Sequence, residues 1–422
     1  PVEENPMRAC CARSSTRRPR DPARSTSRAR LTLCLLATSF ALGATAARAQ
    51  VKWTEHVLTT AFDSPSSIHA ADVDGDGDVD VLSTAWFEGR VNWYENDGGA
   101  PPTFTVRNVP PLANGPQSVF ARDLDGDGDI DLVVASEIDD EVSWYESDGG
   151  APPTFTERIV STTADGARAV PAEDLDGDGD TDIPSMSSND DTIAWYENDG
   201  GAPPTFTERT VSTTADGAYR IYAIDLDDDL DVDILTACAN ADTVAWYEND
   251  GGAPPAFTER VISTTLGFAN GVHAADLDGD LDMDVVASSG TDDKLVWYAS
   301  DGGSPPAFSE RPVSTSADGL AAVYAADVDG DGDVDLATAS VTDDEIAWWE
   351  SDGLVPPTFT RRVVSTAAQG AIRVLATDVD GDGFLDLVSA SQFDQKVSWH
   401  EQLRLGARVT GMTLRRIACR NL

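Results

Sequence analysis

The residues best equipped to do chemistry in this chain are aspartates, and they recur at alternating positions. Asp72, Asp74, Asp76, Asp78 and Asp80 stand in the nonapeptide DVDGDGDVD, and Asp123, Asp125, Asp127, Asp129 and Asp131 repeat the pattern 51 residues later. It continues at the same step through Asp174, Asp176, Asp178, Asp180 and Asp182, then Asp225, Asp227, Asp229, Asp231 and Asp233. Asp276, Asp278, Asp280, Asp282 and Asp284 form the fifth copy, and Asp327, Asp329, Asp331, Asp333 and Asp335 the sixth. The seventh carries Asp378, Asp380, Asp382 and Asp386, with Phe384 in the remaining place. Carboxylates at loop positions 1, 3, 5 and 9, with a backbone carbonyl at 7, supply the oxygen ligands that Ca2+ takes, and glycine at 6 permits the sharp turn. Without a cation, carboxylates packed so closely repel one another.

Two other readings of these loops fail on detail. An EF-hand needs Glu at position 12, and here that place holds Ser83, Val134, Ser185, Thr236, Ala287, Thr338 or Ser389. Mg2+ demands a rigid octahedron that suits fewer protein ligands. Up to seven Ca2+ ions are therefore expected. Leu230 and Leu281 replace the glycine at position 6, where a left-handed conformation costs a side-chain-bearing residue about 1 kcal/mol. The loops starting at Asp225 and Asp276 should bind more weakly, whereas Phe384 is harmless if only its carbonyl coordinates.

The elements that carry the loops follow from a second series with the same period: Trp93, Trp144, Trp195, Trp246, Trp297, Trp348 and Trp399. Each unit holds four short β-like runs, termed strands A to D, separated by turn-rich stretches. In the third unit A is read at about Ala169–Glu173, B at Asp182–Ser187, C at Thr192–Glu197 and D at Phe206–Ser212. Along C, Ile193 and Trp195 face one way and Ala194 and Tyr196 the other, so both faces need cover. Radial stacking of blades provides it, and the expected fold is all-β: a seven-bladed β-propeller of four-stranded antiparallel blades. The Trp and Tyr series belong to the core between blades rather than to a sugar-stacking ladder. Because residues 52–57 read as strand D and the last repeat ends after strand C, the N-terminal D strand should complete blade 7.

Three parts of the chain are distinguished. Residues 1–49 carry nine Arg, eight of them before an apolar run from Leu31 to about Ala47 and the ninth in a small-x-small site at Ala47-Arg48-Ala49, the pattern of a secretory signal. Residues 50–402 form the propeller, and 403–422 a basic tail outside it. Cys10, Cys11 and Cys34 fall in the removed segment, leaving Cys238 and Cys419 and no disulfide framework. A formal net charge of −45 argues against nucleic acid and anionic membrane surfaces as partners. The mature chain is not expected to insert into a membrane.

The aspartate loops followed by strands such as Asp131-Leu132-Val133-Val134-Ala135-Ser136 resemble the FG-GAP/VCBS repeat family, whose propellers are similar to the head of integrin α subunits. The Trp-Tyr-Glu-Asn-Asp-Gly segment is similar to that of bacterial secreted members. The resemblance covers about residues 51–402 and implies Ca2+ at the loop aspartates. It implies less about the ligand, because the same blades serve adhesion proteins, lectins and accessory parts of polysaccharide-degrading enzymes.

In such a meander the A–B and C–D turns emerge at one end of each blade and the B–C and D–A loops at the other. The C–D turns repeat almost verbatim, while the opposite loops differ, so a protein or glycan ligand belongs on the face opposite the metal. Trp86, Phe87, Arg90, Tyr219, Arg220, Phe268 and Phe393 are the candidates there. Catalysis has little support: His56, His69, His273 and His400 share no common constellation, and Lys52, Lys294 and Lys396 are the only lysines a lyase could draw on. The sequence thus predicts a secreted calcium-binding propeller, extracellular, at the cell surface or periplasmic, serving as a non-enzymatic recognition or adhesion scaffold. The alternative is a carbohydrate-active enzyme, lyase or hydrolase, or its lectin-like module.

Overall fold

A computed structural model describes residues 50–405 and builds them from strands alone, in seven four-stranded antiparallel sheets. Each of the first six blades takes its strands in order, as in blade 1: Pro65–Ala71, Asp80–Ala85, Arg90–Asn96 and Phe104–Val109. In blade 7, strands Ala371–Thr377, Asp386–Ser391 and Lys396–Leu405 are completed by Gln50–Thr59 from the other end of the chain. That pairing runs from Gln50 opposite Leu405 to Thr59 opposite Val397. Strand C of blade 7 therefore reaches three residues past the expected boundary at 402, taking Leu403–Leu405 out of the basic tail. The secretory-type segment 1–49 and residues 406–422 lie outside the described residues.

The blades are held by the aromatic series. Trp93, Trp144, Trp195, Trp246, Trp297, Trp348 and Trp399 are each only 1–2% exposed. Each packs into the seam shared with a neighbouring blade: Trp93 with Tyr145, Trp144 with Tyr196, Trp195 with Tyr247, and Trp399 with Tyr94 where blade 7 meets blade 1. In blades 1 to 3 an arginine on strand D lies over the indole, as Arg107 does over Trp93 at 5.5 Å, and pairs with the Glu two residues beyond the tryptophan, here Glu95 at 2.5 Å. In blade 7 that place belongs to His56, stacked on Trp399 at 4.4 Å and 2.8 Å from Glu401. The closing strand thus reproduces the contacts of a covalently connected one.

Strand A of blade 3 departs from expectation. It is reduced to Ala167–Ala169, with an isolated bridge between Glu173 and Asp182. Pro171 has no N–H to donate to the ladder, which interrupts the strand between these two pairings.

Candidate functional site

The aspartate loops close on their own backbone. Asp72 at position 1 accepts from the N–H groups of Asp76 at 3.0 Å and Gly77 at 2.9 Å, wrapping the loop round its carboxylate. Asp80 at position 9 accepts from Val73 N–H at 3.0 Å and from Asn96 N–H at 2.7 Å, tying the loop to the start of the C–D turn. The equivalent bonds to Asp131, Asp182, Asp233, Asp284 and Asp386 recur. In the sixth loop Asp335 instead takes Asp329 N–H together with Ser351 N–H.

Carboxylate oxygens at positions 1 and 3, joined by 9 in some loops and 5 in others, lie within 4.8 Å of one another. Examples are Asp72, Asp74 and Asp80, or Asp123, Asp125 and Asp127. Burial pushes the position-9 carboxyls, Asp80, Asp131, Asp182, Asp233, Asp284, Asp335 and Asp386, up to about 7, although the backbone N–H groups pull the other way. Burial, then the neighbouring carboxylate at position 5, also raises Asp74, Asp125, Asp176, Asp227, Asp278 and Asp380. The Oδ1 atoms of Asp74, Asp227 and Asp278 are buried with no donor from the protein. Hard acceptors, mutual repulsion and orphaned oxygens fit a divalent cation with oxygen preference. Positions 1, 3, 5 and 9 are the side chains that would hold it, and the ion would supply neutralisation and cross-linking of the turn.

Position 7 has a different role for its side chain. A Cβ on Gly98 of the C–D turn would lie 1.9 Å from Asp78 Oδ2, and Gly149, Gly200, Gly251, Gly302 and Gly353 stand equally close to Asp129, Asp180, Asp231, Asp282 and Asp333. Each of these glycines has φ near +60°, so the turn both requires glycine and seats it on the position-7 carboxylate. That leaves the carbonyl as the ligand position 7 can offer. Blade 7 has no C–D turn, and there Phe384 is covered instead by the Arg404 guanidinium at 4.1 Å. Leu230 and Leu281 take φ values of 78° and 77°, the left-handed conformation expected at position 6, and are 89% and 81% exposed.

Sequence reasoning missed a latch beside four of the seven aspartate loops, where Asn96, Asn198, Asn249 and Gln402 stand at the 51-residue step and the other three blades carry Ser147, Ser300 and Ser351. Asn198 Nδ2 donates to Thr181 O of its own loop and to Leu124 O of the preceding blade's loop, both at 2.9 Å. Asn249 and Gln402 bridge in the same way, and Asn96 reaches Val379 across the seam where the ring closes. The available signal was the amide at the 51-residue step, which the repetitive turn sequence concealed.

At the opposite end the seven candidates do not form one patch. Trp86 donates to Glu137 at 2.8 Å and meets Phe87 edge-on at 4.6 Å, while Arg90 pairs with Glu88 at 3.3 Å. Phe393 packs near Gly370 and, like Phe87, is 68% exposed. Tyr219 and Phe268, 6.1 Å apart, line a cavity of about 340 Å3, and Arg220 lines a central one of about 460 Å3. The central cavity is bordered by strands A. His69, Phe120, Pro171, Tyr222, His273, Tyr324 and Leu375 stand on it at the 51-residue step, with His69 against Phe120 at 4.4 Å and His273 between Tyr222 and Tyr324 at 4.6 and 4.5 Å. Two of the four histidines that shared no motif in the sequence, His69 and His273, therefore occupy one level of one cavity. Two of the lysines are engaged elsewhere: Lys396 with Glu55 at 2.7 Å and Asp394 at 3.4 Å, and Lys294 with Asp292 at 3.5 Å.

Comparison with known proteins agrees with this geometry. No curated protein matched the chain by sequence. Among solved structures, a chain from the crystal structure of BBS1N in complex with ARL6DN, soaked with lead, superposes with a TM-score of 0.57 at 10% identity. It covers 84% of this chain and 98% of its own. The mercury-soaked counterpart gives 0.57 at 12% identity, covering 85% and 98%. These likenesses concern the fold. The FG-GAP-like repeat model matches residues 72–134, 123–185, 174–236, 225–287, 282–338 and 330–389, each match beginning in or just before an aspartate loop. The chain belongs to the FG-GAP-like repeat family.

Proposed function

We propose that this protein is a secreted, calcium-binding propeller that acts as a non-enzymatic recognition scaffold, with its ligand on the face opposite the aspartate loops. One observation carries the reading: the metal-loop end is nearly identical in every blade, while the other end opens into cavities lined by residues particular to single blades, Tyr219, Arg220 and Phe268 among them. A structural neighbour with the same fold is a propeller crystallised in a protein complex, which supports a partner-binding role. The carbohydrate-active alternative draws on the neutral imidazoles of His69 and His273 at the central cavity, where burial lowers both to about 4.

The calcium-loaded chain applied to a glycan array and an extracellular protein panel, followed by a reducing-end release assay, separates the readings. Binding without release is expected, lost in Tyr219→Ala and Phe268→Ala and kept in Val106→Ser on the outer strand of blade 1. Release of reducing ends would replace the scaffold by the enzyme. Sequencing the N-terminus of exported protein tests secretion, with a mature start near residue 50 expected.

A further inference from the structure

The central cavity sorts its charges by depth. On the metal-loop side of the histidine level, Arg122 is paired with Glu173 at 3.2 Å. On the other side, strands A of blades 4 and 7 place Arg220 and Arg373 where blades 5 and 6 have Gly271 and Ala322. Among the described residues neither arginine has a carboxylate partner, in a chain with 74 acidic and 29 basic residues, and the Arg220 guanidinium overlies only the Tyr219 ring, at 4.5 Å. Each donates from Nη1 only to the carbonyl of the residue before it, Tyr219 at 2.7 Å and Ile372 at 3.0 Å. Arg220 Nη2 is buried with no acceptor, and both ring nitrogens of His273, 8% exposed on the same cavity, also lack partners.

A guanidinium presents five N–H donors in a planar fork, and leaving most of them unmatched away from water is costly unless an anion completes them. Carboxylate matches that fork in two-pronged fashion. Burial lowers Arg220 only to about 10, so it keeps its charge at neutral pH. Arg373 also borders the neighbouring cavity, together with Tyr219, Phe268, Gln117 and Gln392. The Phe268 face and neutral amides around a space of about 340 Å3 suit a ring that carries hydroxyls on its edges and C–H groups on its faces. The net charge of −45 disfavours a polyanion, so the ligand should bring one carboxylate on an otherwise neutral body.

We propose that the cavity mouth binds a single uronic acid residue of a glycan, its carboxylate held by Arg220 and Arg373 and its ring set against Phe268, with Tyr219, overlain by Arg220 at 4.5 Å and Arg168 at 5.1 Å, holding the Arg220 guanidinium in place. This rests on the reading that the face opposite the aspartate loops is the ligand face. The histidine level beneath limits how deep the ring enters and offers His273 as a further donor.

Titration calorimetry on the calcium-loaded chain, with methyl glucuronoside, methyl glucoside and an acidic N-acetyl-glutamyl peptide as probes, tests the assignment. The glucuronoside should bind at least tenfold more tightly than the glucoside. Arg220→Gln and Arg373→Gln should each reduce that affinity tenfold or more with an unchanged melting temperature. Arg373→Lys, which keeps the charge and removes the fork, should also weaken it and serves if Arg220→Gln does not fold. Equal binding of the glucoside, no binding of the glucuronoside, or indifference to the arginine substitutions would overturn the proposal. Binding of the peptide in place of the sugar would assign the site to a protein partner and overturn it too. If another ligand is found whose binding is lost in Tyr219→Ala but retained in both Gln variants, the ligand-face reading stands and this assignment falls.

Discussion

At the metal-loop end, Asp80 and its counterparts in the other blades each accept a backbone N–H from their own loop and one from the start of the C–D turn or, in blade 7, from Gln402. At the opposite end a single step of 51 residues, from 86 to 392, passes through Trp86, Glu137, Ser188, Ala239, Gly290, Val341 and Gln392. Both sets lie on the same blades, so the fold alone does not explain the difference. The repeated residues satisfy backbone donors and buried carboxylates that exist in every copy, and changing any of them exposes the same deficit. The varied residues make bonds peculiar to single blades, such as Trp86 to Glu137 at 2.8 Å and Arg168 to Glu137 at 3.0 Å, and no need common to every copy fixes them, which leaves this end free to differ for a ligand. Repetition in this ring marks what holds it together, and its absence marks where recognition is possible.

Four experiments break or sharpen that contrast, beginning with the largest effect. Removing residues 50–59 leaves blade 7 one strand short and strips Trp399 of its stacking partner His56. The ring should lose its cooperative melting transition, followed by circular dichroism, and an unchanged transition would refute closure. Chelation comes next. Each site stabilises the folded state by about 2.7 kcal/mol when calcium is a hundredfold above its dissociation constant, so several filled sites should raise the melting temperature by many degrees. Identical scans with and without chelator would reduce the loops to solvated turns.

A smaller loss is expected from acidification. Burial holds His69 and His273 near 4, against 6.5 for the free imidazole. Between those values the unfolded chain takes up protons that the native chain refuses, so this contribution is complete above pH 6.5 and is lost as pH falls towards 4. In saturating calcium, the wild type minus His273→Phe difference in melting temperature should shrink or reverse over that interval; a constant difference would count against it. The smallest effect should follow Leu230→Gly. It relieves a left-handed leucine worth about 1 kcal/mol, partly offset by the greater freedom of glycine when unfolded, and should tighten calcium binding at the fourth loop in calorimetry. No change in affinity there would show that position 6 does not tune the site.

Much of the architecture was legible because identical residues at a fixed step are easy to see: the tryptophans gave the blades, and the D-first, C-last strand order gave the closing strand. The aspartate loops were legible for the same reason, down to the left-handed strain at Leu230 and Leu281. Position 7 was only half legible, since nothing in the spacing of Asp78 distinguishes a carboxylate facing the cation from one seated against Gly98. The cavity was harder still. Its level through His69, Phe120, Pro171, Tyr222, His273, Tyr324 and Leu375 has a constant step but a changing side chain, so a search for sameness passes over it. Arg373 was missed because its partner in space, Arg220, lies three repeats away and their common position is otherwise filled by small residues. The shortening of strand A in blade 3 was readable from Pro171.

The seventh blade joins residues such as His56 and Glu401, 345 positions apart. A nascent chain therefore has six self-sufficient blades before it has a ring, and the first strand must wait, unpaired on its inner edge, until the last has been synthesised. Long-range closure of this kind is slow relative to hairpin formation. A circular permutant opened within a D–A loop, with the old termini joined, would hold all its blades in order and should anneal sooner, at the expense of the seam that now locks the finished molecule.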